Sequence, residues 1–149
     1  MEICIYYLTG QWFKYNLKYL HYGGIMSRIL VVDDDRQFRS MLHRLLTDKG
    51  YLVDECSDGE YIDDFLIKGE IDLVFLDMIM ERRGGMESLI EIRQKYSDVP
   101  VILISGACTE LADDLLKTAE HLGAVGYLQK PFSVDNLFGL VDTVLHGAS

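Results

Sequence analysis

The sequence lacks the features of a membrane protein and of a secreted, disulfide-bonded protein. Only three cysteines occur in 149 residues, Cys4, Cys56 and Cys108, and they are far apart with no CxxC pair. An odd, widely spaced set indicates reduced thiols in a cytosolic protein. No apolar run approaches the roughly 20 residues of a membrane span, and Glu2 lies where a signal peptide carries positive charge. We therefore expect a cytoplasmic protein with no membrane association.

Histidine and positive charge are scarce as well. The four histidines are scattered along the chain, so neither a zinc site nor a histidine-based catalytic pair is predicted. The formal net charge is -10, and the field of so acidic a domain repels nucleic-acid phosphates. We expect no direct binding of nucleic acid, and instead a bound cation or a partner protein with a basic face.

Hydrophobic residues are plentiful at 49%, and from Ser27 onward they alternate between strand and helix patterns five times. Continuous apolar runs, such as residues 29–32 and 101–104, are typical of parallel strands that are buried on both faces. Strands that alternate with helices of this length predict an α/β fold, with a doubly wound parallel sheet covered by helices on both sides.

The helix patterns also predict which side chains face the core. The predicted buried face of the first helix is Phe38, Met41, Leu42, Leu45 and Leu46. The predicted face of the third helix is Met86, Leu89, Ile90 and Arg93, and that of the last is Val134, Leu137, Phe138, Val141, Val144 and Leu145. Asp35 and Ser133 immediately precede the first and last helices, and we expect both to be N-caps.

Residues 1–26 differ from the rest of the chain. They are rich in aromatic side chains, show no clean helical or strand period, and are followed by a domain-like sequence that begins near Met26. One interpretation is an upstream extension of the reading frame, with Met26 as the biological start. The other is a flexible aromatic arm that packs on the domain or on a second copy. We favour the first, because a functional arm is expected to show a periodic face; the folded domain is then residues 27–149.

Five polar residues lie at or just past the carboxyl ends of predicted strands: Asp33, Asp34, Asp77, Ser105 and Lys130. Ligands of parallel α/β sheets bind at this edge. Three carboxylates there repel one another unless a cation offsets them, and oxygen-only ligands favour Mg²⁺ over Zn²⁺. Lys130 and Ser105 are donors that can hold a phosphoryl group. The set therefore predicts a centre for phosphoryl transfer onto Asp77.

Four motifs occur in order within residues 27–149. They are Val31-Val32-Asp33-Asp34, Leu76-Asp77 with Gly85 eight residues later, Ile104-Ser105-Gly106, and Gly126-Tyr127-Leu128-Gln129-Lys130-Pro131-Phe132. Each motif is weak alone, but the set at these separations resembles the receiver domain of two-component response regulators. The resemblance implies a five-stranded, flavodoxin-like (βα)5 fold with strand order 2-1-3-4-5.

The resemblance also implies a role for each residue of the acidic edge. Asp77 is expected to be the phosphoacceptor, taking its phosphoryl group from a histidine kinase or a histidine phosphotransfer protein. Mg²⁺ is expected to be held by Asp33, Asp34, Asp77 and the backbone carbonyl of Ile79. Lys130 is expected to contact the phosphoryl oxygens, so the domain assists its own phosphorylation and dephosphorylation without being an enzyme in the usual sense.

A signalling switch is implied in the same way. Ser105 is the expected switch hydroxyl and Tyr127 the aromatic that turns inward with it, remodelling the face of the fourth helix, fifth strand and fifth helix. The partner of that face is expected to be a downstream effector protein, an output domain missing from this chain, or a second copy in a homodimer. The family's Lys-Pro bond is usually cis, and proline at position 131 lowers the penalty for a cis bond at Lys130-Pro131.

The sequence departs from the family pattern near Asp77. Glu81 stands where the family often has proline, so we expect a more mobile loop or an altered metal affinity. Arg82 and Arg83 follow as a solvated pair or a partner contact. Ile79 and Ala107 flank the expected path of hydrolytic water, and neither can orient water by a hydrogen bond. We therefore expect a long-lived phosphoryl group on Asp77.

Three alternatives compete with a phosphorylation switch. A receiver-like interaction module that is never phosphorylated is disfavoured by the intact acidic pair, Ser105 and Lys130. A magnesium-dependent aspartyl-phosphate phosphatase of the haloacid dehalogenase type needs a second Asp where Ile79 stands. A flavin-binding domain needs a neutral, hydroxyl-rich loop after the first strand, whereas this chain has three consecutive aspartates there.

Overall fold

The computed structural model describes residues 2–6, 12–16, 20–21, 24–106, 114 and 117–147. Near the N-terminus two short antiparallel ladders form. Strand β1 (Glu2–Tyr6) pairs with β2 (Trp12–Asn16), and β3 (Leu20–His21) pairs with β4 (Gly24–Ile25). Strand pairing was not expected here, because the alternating side chains of residues 1–26 show no consistent apolar face.

A five-stranded sheet forms the centre of the domain. Its strands are β5 (Arg28–Val32), β6 (Leu52–Cys56), β7 (Leu73–Asp77), β8 (Val101–Ser105) and β9 (Gly126–Gln129). They lie in the order β6-β5-β7-β8-β9, and every neighbouring pair is parallel. This is the predicted order 2-1-3-4-5, which places β5 and β7 side by side at the centre.

Helices lie between successive strands, and a last helix follows β9. They are α1 (Arg36–Asp48), a 3-10 turn (Gly59–Tyr61) leading into α2 (Ile62–Leu66), α3 (Gly85–Lys95), helical residues 117–121 of α4, and α5 (Val134–His146). Asp35 caps α1 by accepting from the amides of Gln37 and Phe38, and Ser133 caps α5 by accepting from Asn136, as predicted. No helix in these described segments is long and apolar enough to cross a membrane.

Two hydrophobic layers lie on opposite faces of the sheet. Val31 and Phe75 pack with residues of α1 and α5, whereas Leu30 and Val74 pack with residues of α2 and α3. Because successive strand residues point to opposite faces, one continuous apolar run supplies both layers. Cys56 is buried in the second layer as a free thiol.

The predicted helix faces were wrong at their margins. Met41, Ile90 and Val134 are exposed, while the centres of the same stripes, including Leu42, Leu89 and Leu137, are buried. An i, i+3, i+4 pattern allows a stripe wider than the sheet covers, so its outer positions remain in water. The sequence also predicts Thr109 as the cap of α4 and Leu111 and Leu115 as part of its buried stripe, and these three residues lie outside the described residues.

Candidate functional site

The parallel register brings three carboxylates together at the carboxyl edge of the sheet. Val32 pairs with Leu76, so the residues that follow them, Asp33 and Asp77, lie side by side. Asp33 is fully buried, Asp77 is 6% exposed, and Asp34 is exposed. One oxygen of each carboxylate lies within 4.8 Å of the others. The acidic cluster expected from the strand ends is therefore present in the fold.

Lys130 lies between the two buried carboxylates. Its Nζ donates to Oδ2 of Asp33 at 3.0 Å and is 4.0 Å from Oδ2 of Asp77. The ammonium also lies 3.7 Å from the centre of the Phe38 ring, which favours a cation over its face. The Lys130-Pro131 peptide is cis, and the Lys130 amide donates to the Ser105 carbonyl at 2.8 Å. A partly buried cation is thus held beside the phosphoacceptor candidate.

Asp33 is fixed by hydrogen bonds through backbone and side chain alike. Its amide donates to the Cys56 carbonyl at 3.1 Å, and its Oδ1 accepts from the Asp35 amide at 2.8 Å. Its carbonyl accepts from Nη1 of Arg39 at 2.6 Å. A role for Arg39 was not predicted, although Arg39, Leu42 and Leu46 share the i, i+3, i+7 spacing of one helix face. A positively charged side chain on the buried face of α1 is the sequence signal that could have identified Arg39.

The loop between β7 and α3 forms the opposite wall of the cluster. The Glu81 amide donates to Oδ2 of Asp34 at 3.0 Å. Arg82 is 70% exposed and lies 3.7 Å from the Asp58 carboxylate, while half-buried Arg83 forms an ion pair with Glu91. Of the two arginines expected to be solvated, only Arg82 is largely exposed to water. The loop is tied to Asp34, Asp58 and α3 despite lacking the proline.

Gly85 allows this loop to close against β7. A Cβ at this position would lie 2.2 Å from the carbonyl oxygen of Asp77 and 2.6 Å from Cα of Met78. The Gly85 amide donates to the Met78 carbonyl at 3.1 Å. The spacing of eight residues between Asp77 and Gly85 thus has a steric cause, because only glycine permits this approach of two backbones.

Ser105 and Tyr127 lie on the two strands beyond Asp77. Asp77 pairs with Ile104, and the fully buried Ser105 follows it at the end of β8. Tyr127, on β9, is half-buried and packs against the layer on the α2 and α3 side. It also lines an open groove of about 650 Å³ between β9 and α5. Ala107, the second expected neighbour of the water path, lies outside the described residues.

The site carries more negative charge than the described cations balance. Burial raises the pKa of Asp77 to about 6, and the neighbouring Asp33 carboxylate acts in the same direction. Lys130 and the Ile79 amide, which donates to Oδ1 of Asp77 at 3.3 Å, oppose this rise. Clustered carboxylate oxygens with excess charge and one exposed member fit a hard divalent ion such as Mg²⁺.

Sequence comparison finds relatives over most of the chain. The model of the response regulator receiver domain matches residues 29–142. The transcriptional regulatory protein CpxR of Escherichia coli (strain K12) is 38% identical over 120 residues, which cover 80% of this chain and 50% of CpxR. The chain therefore spans about half the length of the curated relatives it matches.

Solved structures share the fold. The chemotaxis protein CheY4 of Vibrio cholerae superimposes with a TM-score of 0.74 at 27% identity, covering 80% of this chain and 99% of CheY4. The response regulator TrrA of Thermotoga maritima, solved in complex with Mg²⁺-BeF, gives a TM-score of 0.70 at 36% identity, covering 80% of this chain and all of TrrA. Both similarities extend over the segment that contains the acidic cluster.

Proposed function

Because the chain belongs to the response regulator receiver family of two-component systems, we propose that it is a switch phosphorylated on Asp77. The observation that carries the proposal is the position of this carboxylate. It lies at the edge of the sheet, beside two further carboxylates and 4.0 Å from a lysine ammonium. A histidine kinase or a histidine phosphotransfer protein is the proposed donor.

In the transfer, an Asp77 carboxylate oxygen attacks the phosphorus atom of a phosphohistidine. The new oxygen–phosphorus bond forms as the bond from phosphorus to the imidazole nitrogen breaks, and the imidazole keeps the electron pair. Lys130 is close enough to move from Asp33 towards the incoming phosphoryl oxygens and stabilise their charge. Burial of Asp33 and Asp77 strengthens that interaction, because the local dielectric constant is low.

Asp33, Asp34, Asp77 and the Ile79 carbonyl are the proposed Mg²⁺ ligands. When bound, Mg²⁺ supplies charge neutralisation for the phosphoryl group. The structure of TrrA, which is 36% identical, was solved in complex with Mg²⁺-BeF, and this supports the proposal that the present chain also binds Mg²⁺. The raised pKa of Asp77 supports it as well, since burial and the Asp33 carboxylate disfavour the ionised form and a bound cation favours it.

Signal output is proposed to follow from Ser105 and Tyr127. Ser105 moves towards the phosphoryl group and Tyr127 turns inward, which alters the face formed by α4, β9 and α5. The groove between β9 and α5, which Tyr127 lines, gives this movement a surface to act on. The partner of that face is an effector, an output domain or a second copy, in the cytoplasm.

The proposal is tested by incubating the full chain with Mg²⁺ and acetyl phosphate and measuring the intact mass. We expect one added phosphoryl group on the wild type and none on Asp77→Asn. Asp72→Asn changes a carboxylate on the opposite edge of the sheet and serves as the control that remains labelled. Labelling of Asp77→Asn, or none of the wild type, would overturn the proposal.

A further inference from the structure

Arg39 joins two strand ends behind the acidic cluster. Its side chain is 13% exposed, and its Nε donates to Oε2 of Glu55 on β6 at 3.1 Å. Its Nη1 donates to the Asp33 carbonyl at 2.6 Å. The other oxygen of Glu55 is 2.7 Å from Nδ1 of His43, one turn further along α1. The Arg39 guanidinium is thus paired with the Glu55 carboxylate while it donates to the Asp33 carbonyl.

The Asp33 carbonyl belongs to the peptide unit that joins Asp33 to Asp34. A peptide unit is planar, so the direction of its carbonyl sets the positions of both flanking Cα atoms. Both carboxylates branch from those atoms. The bond from Arg39 therefore restrains the spacing of the buried Asp33 and the exposed Asp34 through the backbone.

We propose that Arg39 is a positioning residue that preorganises Asp33 and Asp34 to bind a divalent cation. This inference rests on the proposed function, because it concerns the same cation site. Groups that orient metal ligands commonly change affinity by about tenfold or more when removed. Arg39 acts here on the backbone between two ligands.

The positive charge of Arg39 allows positioning of the ligands to be distinguished from electrostatic repulsion of the cation. A nearby positive charge repels a cation, so its removal by field alone would tighten Mg²⁺ binding. Loss of positioning weakens binding instead. The two explanations predict opposite signs for Arg39→Gln.

The experiment is a Mg²⁺ titration of the full chain, followed by backbone amide NMR shifts. We expect about tenfold weaker binding for Arg39→Gln and an intermediate loss for Arg39→Lys, which keeps the charge but not the forked geometry. Arg44→Gln is the matched control, since Arg44 lies on the same helix and is 86% exposed. Its affinity should stay within about twofold of the wild type.

A second readout needs no metal. The Asp35 amide donates to Oδ1 of Asp33, so its hydrogen exchange should be faster in Arg39→Gln, while exchange of the Leu30 amide in the core is unchanged. Unaltered or tighter Mg²⁺ binding by folded Arg39→Gln would overturn the inference. If that variant does not fold, wild-type affinity in Arg39→Lys would overturn it. A wild type that binds no Mg²⁺ would instead contradict the proposed function, and Asp35 exchange would still decide the role of Arg39.

Discussion

The two walls of the acidic cluster are built differently. On the β5–α1 wall, residues 33–39, buried Asp33 is held by Cys56, Asp35, Arg39 and Lys130 through hydrogen bonds of 2.6 to 3.1 Å. On the β7–α3 wall, residues 77–85, Met78 and Met80 are buried and Gly85 packs against β7, whereas Ile79, Glu81 and Arg82 form an exposed middle. Ile79 is 64% exposed there, and Arg82, which is 70% exposed, lies 3.7 Å from the Asp58 carboxylate, whose side chain is only 11% exposed.

This difference separates two tasks of one site. The β5–α1 wall holds the Asp33 carboxylate and the peptide unit that joins it to Asp34, which suits a cation site. The exposed side chains of the β7–α3 wall leave the mouth of the site accessible, as the proposed transfer of a phosphoryl group from a partner requires. We expect substitutions at the fixed ends of the second wall to have large effects and substitutions in its middle to have small ones.

The largest effect is expected for Gly85→Ala. The added Cβ would overlap the Asp77 carbonyl and Met78, and backbone atoms cannot move aside as a flexible side chain can. We expect a loss of about 3 kcal/mol in the free energy of unfolding, measured by urea denaturation. Gly84→Ala is the matched control, because nothing lies within 4 Å of its Cβ position. Equal stability of the two variants would show that the end of this wall is not rigid.

Asp77→Asn should stabilise the metal-free protein. The folded state raises the pKa of Asp77 from 3.8 to about 6, so between these pH values the native state binds more protons than the unfolded state. Stability contributed by this group is therefore present below pH ~4 and is lost as the pH rises through ~6. At pH 7 we expect the free energy of unfolding of Asp77→Asn to exceed that of the wild type by about 2 to 3 kcal/mol.

The pH dependence provides the check on this prediction. We expect the free energy of unfolding of the wild type, measured by urea denaturation in EDTA, to fall between pH 4 and 7 as Asp77 ionises. This fall should be missing in Asp77→Asn. Asp48→Asn, an exposed carboxylate on α1, should change stability by no more than about 0.5 kcal/mol. Parallel pH profiles for wild type and Asp77→Asn would contradict the burial argument.

The open middle of the β7–α3 wall should govern how long the phosphoryl group lasts. Ile79 is exposed next to Asp77 and has no side-chain donor or acceptor for attacking water. We expect phospho-Asp77 to persist well beyond seconds, and Ile79→Asn to shorten its half-life about fivefold, the effect of one hydrogen bond of about 1 kcal/mol. Phosphate release reports both rates. Ile67→Asn, at another exposed apolar position, is the control, and loss of wild-type label within seconds would refute the expectation.

Much of this site could be predicted because its signals are local. Apolar runs that end in Asp33, Asp77 and Ser105 mark strand ends, and parallel strands bring those ends to one edge. The contacts of Arg39 could not be predicted in the same way, because its partner Glu55 lies on the next strand. The exposure of Met41 likewise depends on where α1 sits on the sheet, which its own periodicity does not determine.

Arg82→Gln should have the smallest effect and tests whether the middle of the β7–α3 wall is as open as its exposure suggests. The Arg82–Asp58 pair is 3.7 Å long, and the arginine is largely in water, where ion pairs contribute about 0 to 1 kcal/mol. We expect a stability change within about 0.5 kcal/mol by urea denaturation. Arg83→Gln is the matched comparison, since Arg83 is half-buried and pairs with Glu91 of α3, and it should lose more. If Arg82→Gln is the more damaging of the two, the middle of this wall is anchored through Asp58, and the contrast between the walls is smaller than their exposure implies.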